Sequence, residues 1–130
     1  GAAAVQELQL ANGRKLYEHI AIIAATEWNH NQNIALVVGA TCPEQIARIR
    51  AITGDMTFLV PGIGAQGGSV RQVLAVGLNA FKRGIVFNAS RSILYHEQVA
   101  EKKFAEAART EAYRICTLTR ECFNESSNTG

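Results

Sequence analysis

Aspartate is nearly missing from this 130-residue chain: Asp55 is its only one. The acidic total is 11 against 13 Lys and Arg, a net charge of +2, and no basic stripe of the kind a phosphodiester backbone demands is present. Nucleic acid is not indicated as a partner. Long apolar runs are also missing, since 34–38 and 58–60 fall far short of the roughly 18 to 20 residues of a membrane span. The N-terminal stretch has no basic-flanked apolar segment, so neither a signal peptide nor a membrane anchor is expected. Cysteine is sparse: Cys42, Cys116 and Cys122 form no C-x-x-C, no Cys/His metal spacing and no even framework. They read as buried or half-buried thiols of a reducing compartment, with no metal expected. An initiator Met is lacking at Gly1, and the polar run 125–130 reads as a flexible tail.

What is present is enough for one core, because 48% of the residues are apolar. Val5, Leu8, Leu16, Ile20, Ile23 and Ala24 recur at three- and four-residue steps. They predict a short helix, a turn at Asn12-Gly13, and an amphipathic helix over about 14–28, with Trp28 packed under the polar loop 29–33. The run 34–38 is too short for a helix and β-branched enough for a strand buried on both faces. Thr41 then offers a hydroxyl cap and Pro43 a first-turn proline for a helix stopping at Gly54. The pattern repeats, with strands at 56–60 and 84–87 and a helix capped by Ser69 between them. A long helix over about 97–123 carries Ala100, Phe104, Ala107, Ala108, Ala112, Ile115, Leu118 and Cys122 on one stripe. Strands alternating with helices predict parallel β/α units. Three strands complete neither an open doubly wound sheet nor a closed barrel, which typically takes about 250 residues.

The chemistry concentrates in two loops. Gly62, Gly64 and Gly67 formally satisfy G-x-G-x-x-G between a strand and a helix. The dinucleotide fingerprint also needs an acid about 20 residues on; that strand ends at Phe87-Asn88, and no acid lies between Asp55 and Glu97. What survives is backbone N–H groups and a helix N-terminus presented to an anion, with Gln66 able to donate and accept. The next strand ends in Asn88-Ala-Ser-Arg-Ser-Ile93, where Arg91 can clamp a phosphate bidentately. Adjacent strand-end loops of this kind build the habitual phosphate site of barrels. Taken alone, Arg91 would be a surface ion pair and the glycines a tight corner.

Phe58-Leu-Val-Pro-Gly-Ile-Gly-Ala-Gln-Gly-Gly68, followed one unit later by Val86-Phe-Asn-Ala-Ser-Arg-Ser-Ile93, resembles the last two strands of the orotidine 5′-monophosphate decarboxylase family. Leu36-Val-Val-Gly-Ala-Thr41 is similar to the strand before them. The resemblance implies an α/β fold that is the C-terminal portion of a (β/α)8 TIM barrel. It makes residues 1–124 the C-terminal half of that decarboxylase domain and 125–130 its tail. It further implies a cytoplasmic, homodimeric lyase of pyrimidine (UMP) biosynthesis that turns orotidine 5′-monophosphate into uridine 5′-monophosphate with no metal or organic cofactor. Carried over, Gln66 binds the phosphate and reaches toward the pyrimidine, and Arg91 is the main phosphate cation. The Ser90 backbone assists, Pro61 lies against the base, and Gly62, Gly64, Gly67 and Gly68 form the phosphate loop. Gly39 to Thr41 line a strand end. Ser69 stands where the family more often has an acid, but it can equally cap a helix.

The catalytic residues that the resemblance implies are absent from these residues. The family works through an alternating Lys-Asp-Lys-Asp array in which carboxylates crowd the substrate carboxylate and a lysine protonates the carbanion-like carbon. No Asp-x-Lys-x-x-x-Asp run occurs, and Asp55 together with Lys15, Lys82, Lys102 and Lys103 falls on helix or loop surfaces. The expected catalytic set in this chain is therefore none, and the missing N-terminal half of the barrel is an expected partner. His19, His30 and His96 have no partner acid at a meaningful spacing, and Cys42 has no partner histidine. Two other readings are compatible with the loops: a non-catalytic phosphate- or nucleotide-binding half-barrel that dimerises through its open edges, and a phosphoribosyl-isomerase-like barrel. The latter would not predict Pro61 and Gln66 together.

Overall fold

The β-branched and aromatic runs become strands β1 (Ala35–Val37), β2 (Thr57–Pro61) and β3 (Ile85–Asn88) in a computed structural model that describes residues 3–63, 68–94 and 103–127. They form one parallel sheet in the order β1-β2-β3, with Leu36 beside Phe58 and Phe58 beside Ile85. Helices α1 (Ala3–Gln6) and α2 (Leu16–Ile23) precede β1, and α2 continues through a π-helical turn, Ala24–Trp28. α3 (Pro43–Thr53) and α4 (Val70–Gly77) connect the strands, and α5 (Arg91–Leu94) and α6 (Phe104–Ser127) follow β3. The sequential β/α order is the one expected for a portion of a parallel barrel.

Strand alternation sorts the side chains between two faces. Phe58 and Val60 of β2 are completely buried, packed in one core with the equally buried Ile46 of α3 and Val73 of α4. Leu36, Ile85 and Phe87 join them on that side through the register. Ser69 caps α4 as expected, its hydroxyl accepting from the Gln72 N–H.

The base of the sheet is tied by a residue that sequence periodicity does not single out. Buried Arg50, in the last turn of α3, donates to four carbonyls: Gly77 at 2.7 Å, Gly54 at 2.7 Å, Met56 at 2.6 Å and Gly84 at 3.0 Å. These oxygens lie at or just beyond the C-terminal ends of α3 and α4 and just before β2 and β3. One guanidinium thus satisfies carbonyls that helix ends leave unpaired. Burial lowers the Arg50 pKa, and the nearby Asp55 charge partly offsets this.

The strands are not buried on both faces: Val37 is 71% exposed and Val86 52% exposed, because their side of the sheet, the interior side of a closed barrel, has no described residue packed over it. Trp28 is exposed rather than packed under its loop, which instead closes through Asn29 accepting from the Ile34 N–H at 2.9 Å. Cys42 and Cys116 are exposed, and only Cys122 is buried. Cys42, not Thr41, holds the N-cap position of α3, with no side-chain cap bond. On α6, Ile115 and Cys122 are buried but Phe104 is exposed. The helix extends to Ser127, past the expected tail boundary at 125, and Arg71 of α4 ion-pairs with Glu125 there. Residues 97–102, with Ala100, and residues 128–130 lie outside the described residues.

Candidate functional site at the strand ends

Register decides which loops become neighbours. Pro61, the last residue of β2, pairs with Asn88, the last residue of β3, so the connections that follow them leave the same rim side by side. β1 delivers Gly39 and Ala40 to this rim as well, and the Ala40 N–H donates to the Pro61 carbonyl at 3.1 Å. In parallel β/α barrels the C-terminal rim is where active sites are built.

The glycine-rich connection is anchored at both ends. Gly62 turns the chain with φ +85°, a conformation that only glycine adopts freely. Ile63 plugs into the core, and the Gly68 N–H returns to the Gly62 carbonyl at 2.8 Å. A β-carbon added at Gly68 would collide with the carbonyl carbon, carbonyl oxygen and Cβ of Ala40. Gly64, Gln66 and Gly67 lie outside the described residues. Ser69 then starts α4, whose first-turn N–H groups open toward the same rim.

The second loop is a compact turn. The Ser90 hydroxyl donates to Asn88 Oδ1 at 3.1 Å, and the Ser90 carbonyl accepts from the N–H groups of Ile93 (3.2 Å) and Leu94 (2.8 Å). That turn leaves Arg91 as the first residue of α5, exposed at the rim. Among the described residues its guanidinium makes no hydrogen bond or ion pair, which leaves its fork available to a ligand. Of the expected site residues, Pro61, Gly62, Gly68, Ser90 and Arg91 therefore come from one rim. The local pattern assigns Asn88 no individual role and Ala40 only that of a strand-end lining residue; the signal for both is their place at the end of an apolar strand run.

The remaining candidates stay apart from the rim. Asp55 is exposed in the turn between α3 and β2, at the opposite end of the sheet. Lys15 pairs with Glu7 at 3.5 Å. His19 is partly buried on α2, and His30 is exposed in its loop. Among the described residues no three His, Cys, Asp or Glu side chains converge as a metal site, and no helix is long and apolar enough to cross a membrane.

The geometry defines a portion of a parallel (β/α) barrel with a loop cluster at its C-terminal rim. No family model matches the chain. It is 46% identical over 124 residues to the orotidine 5′-phosphate decarboxylase of Aromatoleum aromaticum, covering 95% of this chain and 44% of that protein. It is 44% identical over 120 residues to the protein of the same name from Janthinobacterium, covering 91% of this chain and 42% of that one. Among solved structures, Leishmania donovani UMP synthase superposes with a TM-score of 0.73 at 39% identity, over 92% of this chain and 25% of that one. Leishmania donovani OMP decarboxylase does so with a TM-score of 0.71 at 35% identity, over 92% and 43%. The chain belongs to the orotidine 5′-phosphate decarboxylase family and matches the C-terminal part of its relatives. It spans less than half the length of the curated relatives named here.

Proposed function

We propose that this chain is the phosphate-holding portion of an orotidine 5′-phosphate decarboxylase, which forms uridine 5′-monophosphate from orotidine 5′-monophosphate in pyrimidine biosynthesis. The observation that carries the reading is the Pro61–Asn88 register pair, which sets the glycine-rich connection beside the Ser90-Arg91 turn. Arg91 holds two phosphate oxygens through its planar fork. The glycine loop of Gly62, Gly64, Gly67 and Gly68 lets backbone N–H groups approach the phosphate, and the start of α4 adds its positive dipole. Gln66 bridges phosphate and pyrimidine, the Ser90 backbone assists, and Pro61 bounds the base.

The reaction also needs groups that crowd the substrate carboxylate and protonate the carbon left behind, and the Lys/Asp array of the family is not among these 130 residues. Binding energy gathered on the phosphate by this portion would be spent on the reacting centre held by the other. The whole enzyme is a cytoplasmic homodimer that uses no metal or organic cofactor, and its N-terminal half fills the open sheet face at Val37 and Val86. Mixing this chain with the N-terminal half of a relative should give orotidine monophosphate turnover, while the chain alone should give none. Turnover by the chain alone would overturn the division of labour.

The exposed side chains of Val37 and Val86 also favour a second reading, a non-catalytic nucleotide-binding half-barrel that covers this face with a second copy of itself. Under that reading uridine monophosphate binds to a dimer of the chain, and adding the N-terminal half produces no turnover.

A further inference from the structure

Parallel register sets three strand ends in a row on the open side of the sheet. Val37 pairs with Leu59 and Leu59 with Val86, and alternation carries the same side two residues on to Gly39, Pro61 and Asn88. Phe58, Val60 and Phe87 occupy the opposite, packed side, so these three residues form the top layer of the face that looks into the barrel. Each contributes something different. A β-carbon built at Gly39 meets nothing within 4 Å, so the layer is open above the first strand. The Pro61 ring is half-buried and carries no hydrogen-bond donor. Asn88 is exposed and is the polar side chain of the three, above a layer of Val37, Leu59 and Val86 that is apolar throughout. Its Oδ1 accepts from the Ser90 hydroxyl at 3.1 Å. Among the described residues nothing accepts from its Nδ2, which keeps two hydrogens to donate.

We propose that Asn88 is a base-recognition residue whose Nδ2 donates to a carbonyl oxygen of a uracil-type pyrimidine. The proposal rests on the reading in which Pro61 bounds the base and Arg91 holds the phosphate, and it adds the polar contact that a proline side chain cannot make. Asn88 stands beside Pro61 on the same face, since paired strands lie about 4.8 Å apart. It also opens the turn that carries Arg91. A nucleotide with its phosphate at Arg91 and its ring against Pro61 therefore brings an edge of that ring to the carboxamide. A carbonyl oxygen that leaves water for this otherwise apolar layer needs a donor there, and the amide supplies it. By donating to Oδ1, the Ser90 hydroxyl fixes which end of the carboxamide remains to donate.

The test titrates the full chain with uridine monophosphate and, in parallel, with ribose 5-phosphate, which keeps the phosphate and the sugar but has no base. Asn88→Leu keeps the size of the side chain and removes its donors. It should weaken uridine monophosphate binding about tenfold and leave ribose 5-phosphate binding within about twofold. Asn88→Gln, which retains the donors, should bind uridine monophosphate more tightly than the leucine variant does. Asn88→Ala serves as the reporter if the leucine variant does not fold. Variants that lose both ligands equally would show that Asn88 only braces the Ser90-Arg91 turn, and base recognition would be overturned. Unchanged uridine monophosphate affinity in the folded variants would overturn it too, as would a wild-type chain that binds the two ligands equally well. A wild-type chain that binds neither would instead overturn the phosphate-holding reading on which the proposal rests.

Discussion

The guanidinium carbon of Arg50 lies 3.7 Å above the centroid of the Phe58 ring. The contact joins the cation that collects four carbonyls at the base of the sheet to the fully buried aromatic at the centre of the core. A buried cation of this kind needs its partners, and the buried contacts to the Gly77 and Met56 carbonyls need it, since each carbonyl left unpaired in the interior costs about 1 to 3 kcal/mol. Arg50→Met, which keeps the bulk, should therefore lower the unfolding free energy by about 3 kcal/mol or more in a urea titration. A change below about 0.5 kcal/mol would mean that the clamp does not contribute.

Arg91 is the contrasting arginine, exposed and without a partner among the described residues. Arg91→Ala should leave the urea midpoint unchanged and weaken uridine monophosphate binding about ten- to a hundredfold, the range of a charge-assisted bidentate contact. Arg91→Lys should recover only part of this, because an ammonium lacks the planar fork. Unchanged affinity in the alanine variant would remove Arg91 from the site.

Glu18 links α2 to α3, accepting from Arg48 Nε at 2.6 Å and from the Lys15 N–H at 3.0 Å. The Arg48 hydrogen bond, then that of Lys15, holds the Glu18 carboxyl below its ordinary 4.5. A folded-state pKa that is depressed favours the native state above the unfolded pKa, and the benefit is lost as pH falls through the folded value. Acidification from neutrality to below pH 4.5 should thus lower the urea midpoint of wild type more than that of Glu18→Gln. Equal losses in the two proteins would show that the pair is not linked to folding.

Ser69 should be replaceable by a carboxylate but not by a methyl group. Its hydroxyl accepts from the Gln72 N–H at 3.4 Å. Ser69→Ala should cost about 1 kcal/mol of stability, whereas Ser69→Asp retains the cap and adds a favourable charge at the helix N-terminus. Chemical denaturation distinguishes the two, and an alanine variant as stable as wild type would argue that solvent replaces the cap.

The open sheet face should tolerate charge. Val37→Asp should change the stability of this chain by no more than about 0.5 kcal/mol, because the side chain is already 71% exposed. A large loss would show that something covers this face in solution.

Local sequence carries the strand positions, the helices between them and the location of the rim loops, though not the short α5. The apolar runs ending at Val38, Val60 and Phe87 are short, β-branched and followed by glycine, proline or asparagine, so strands and turns are dictated by neighbours along the chain. The Ser69 cap and the Gly62 turn are local in the same sense. Packing between elements selects which face of the sheet closes, since Leu59 and Val60 are equally apolar and differ only in which side meets α3 and α4. It likewise decided that Arg50 would be buried and that Ala40 would meet both Pro61 and Gly68. Those roles arise from parallel register, which joins residues more than 20 positions apart. Periodicity within a single element carries no information about such pairings.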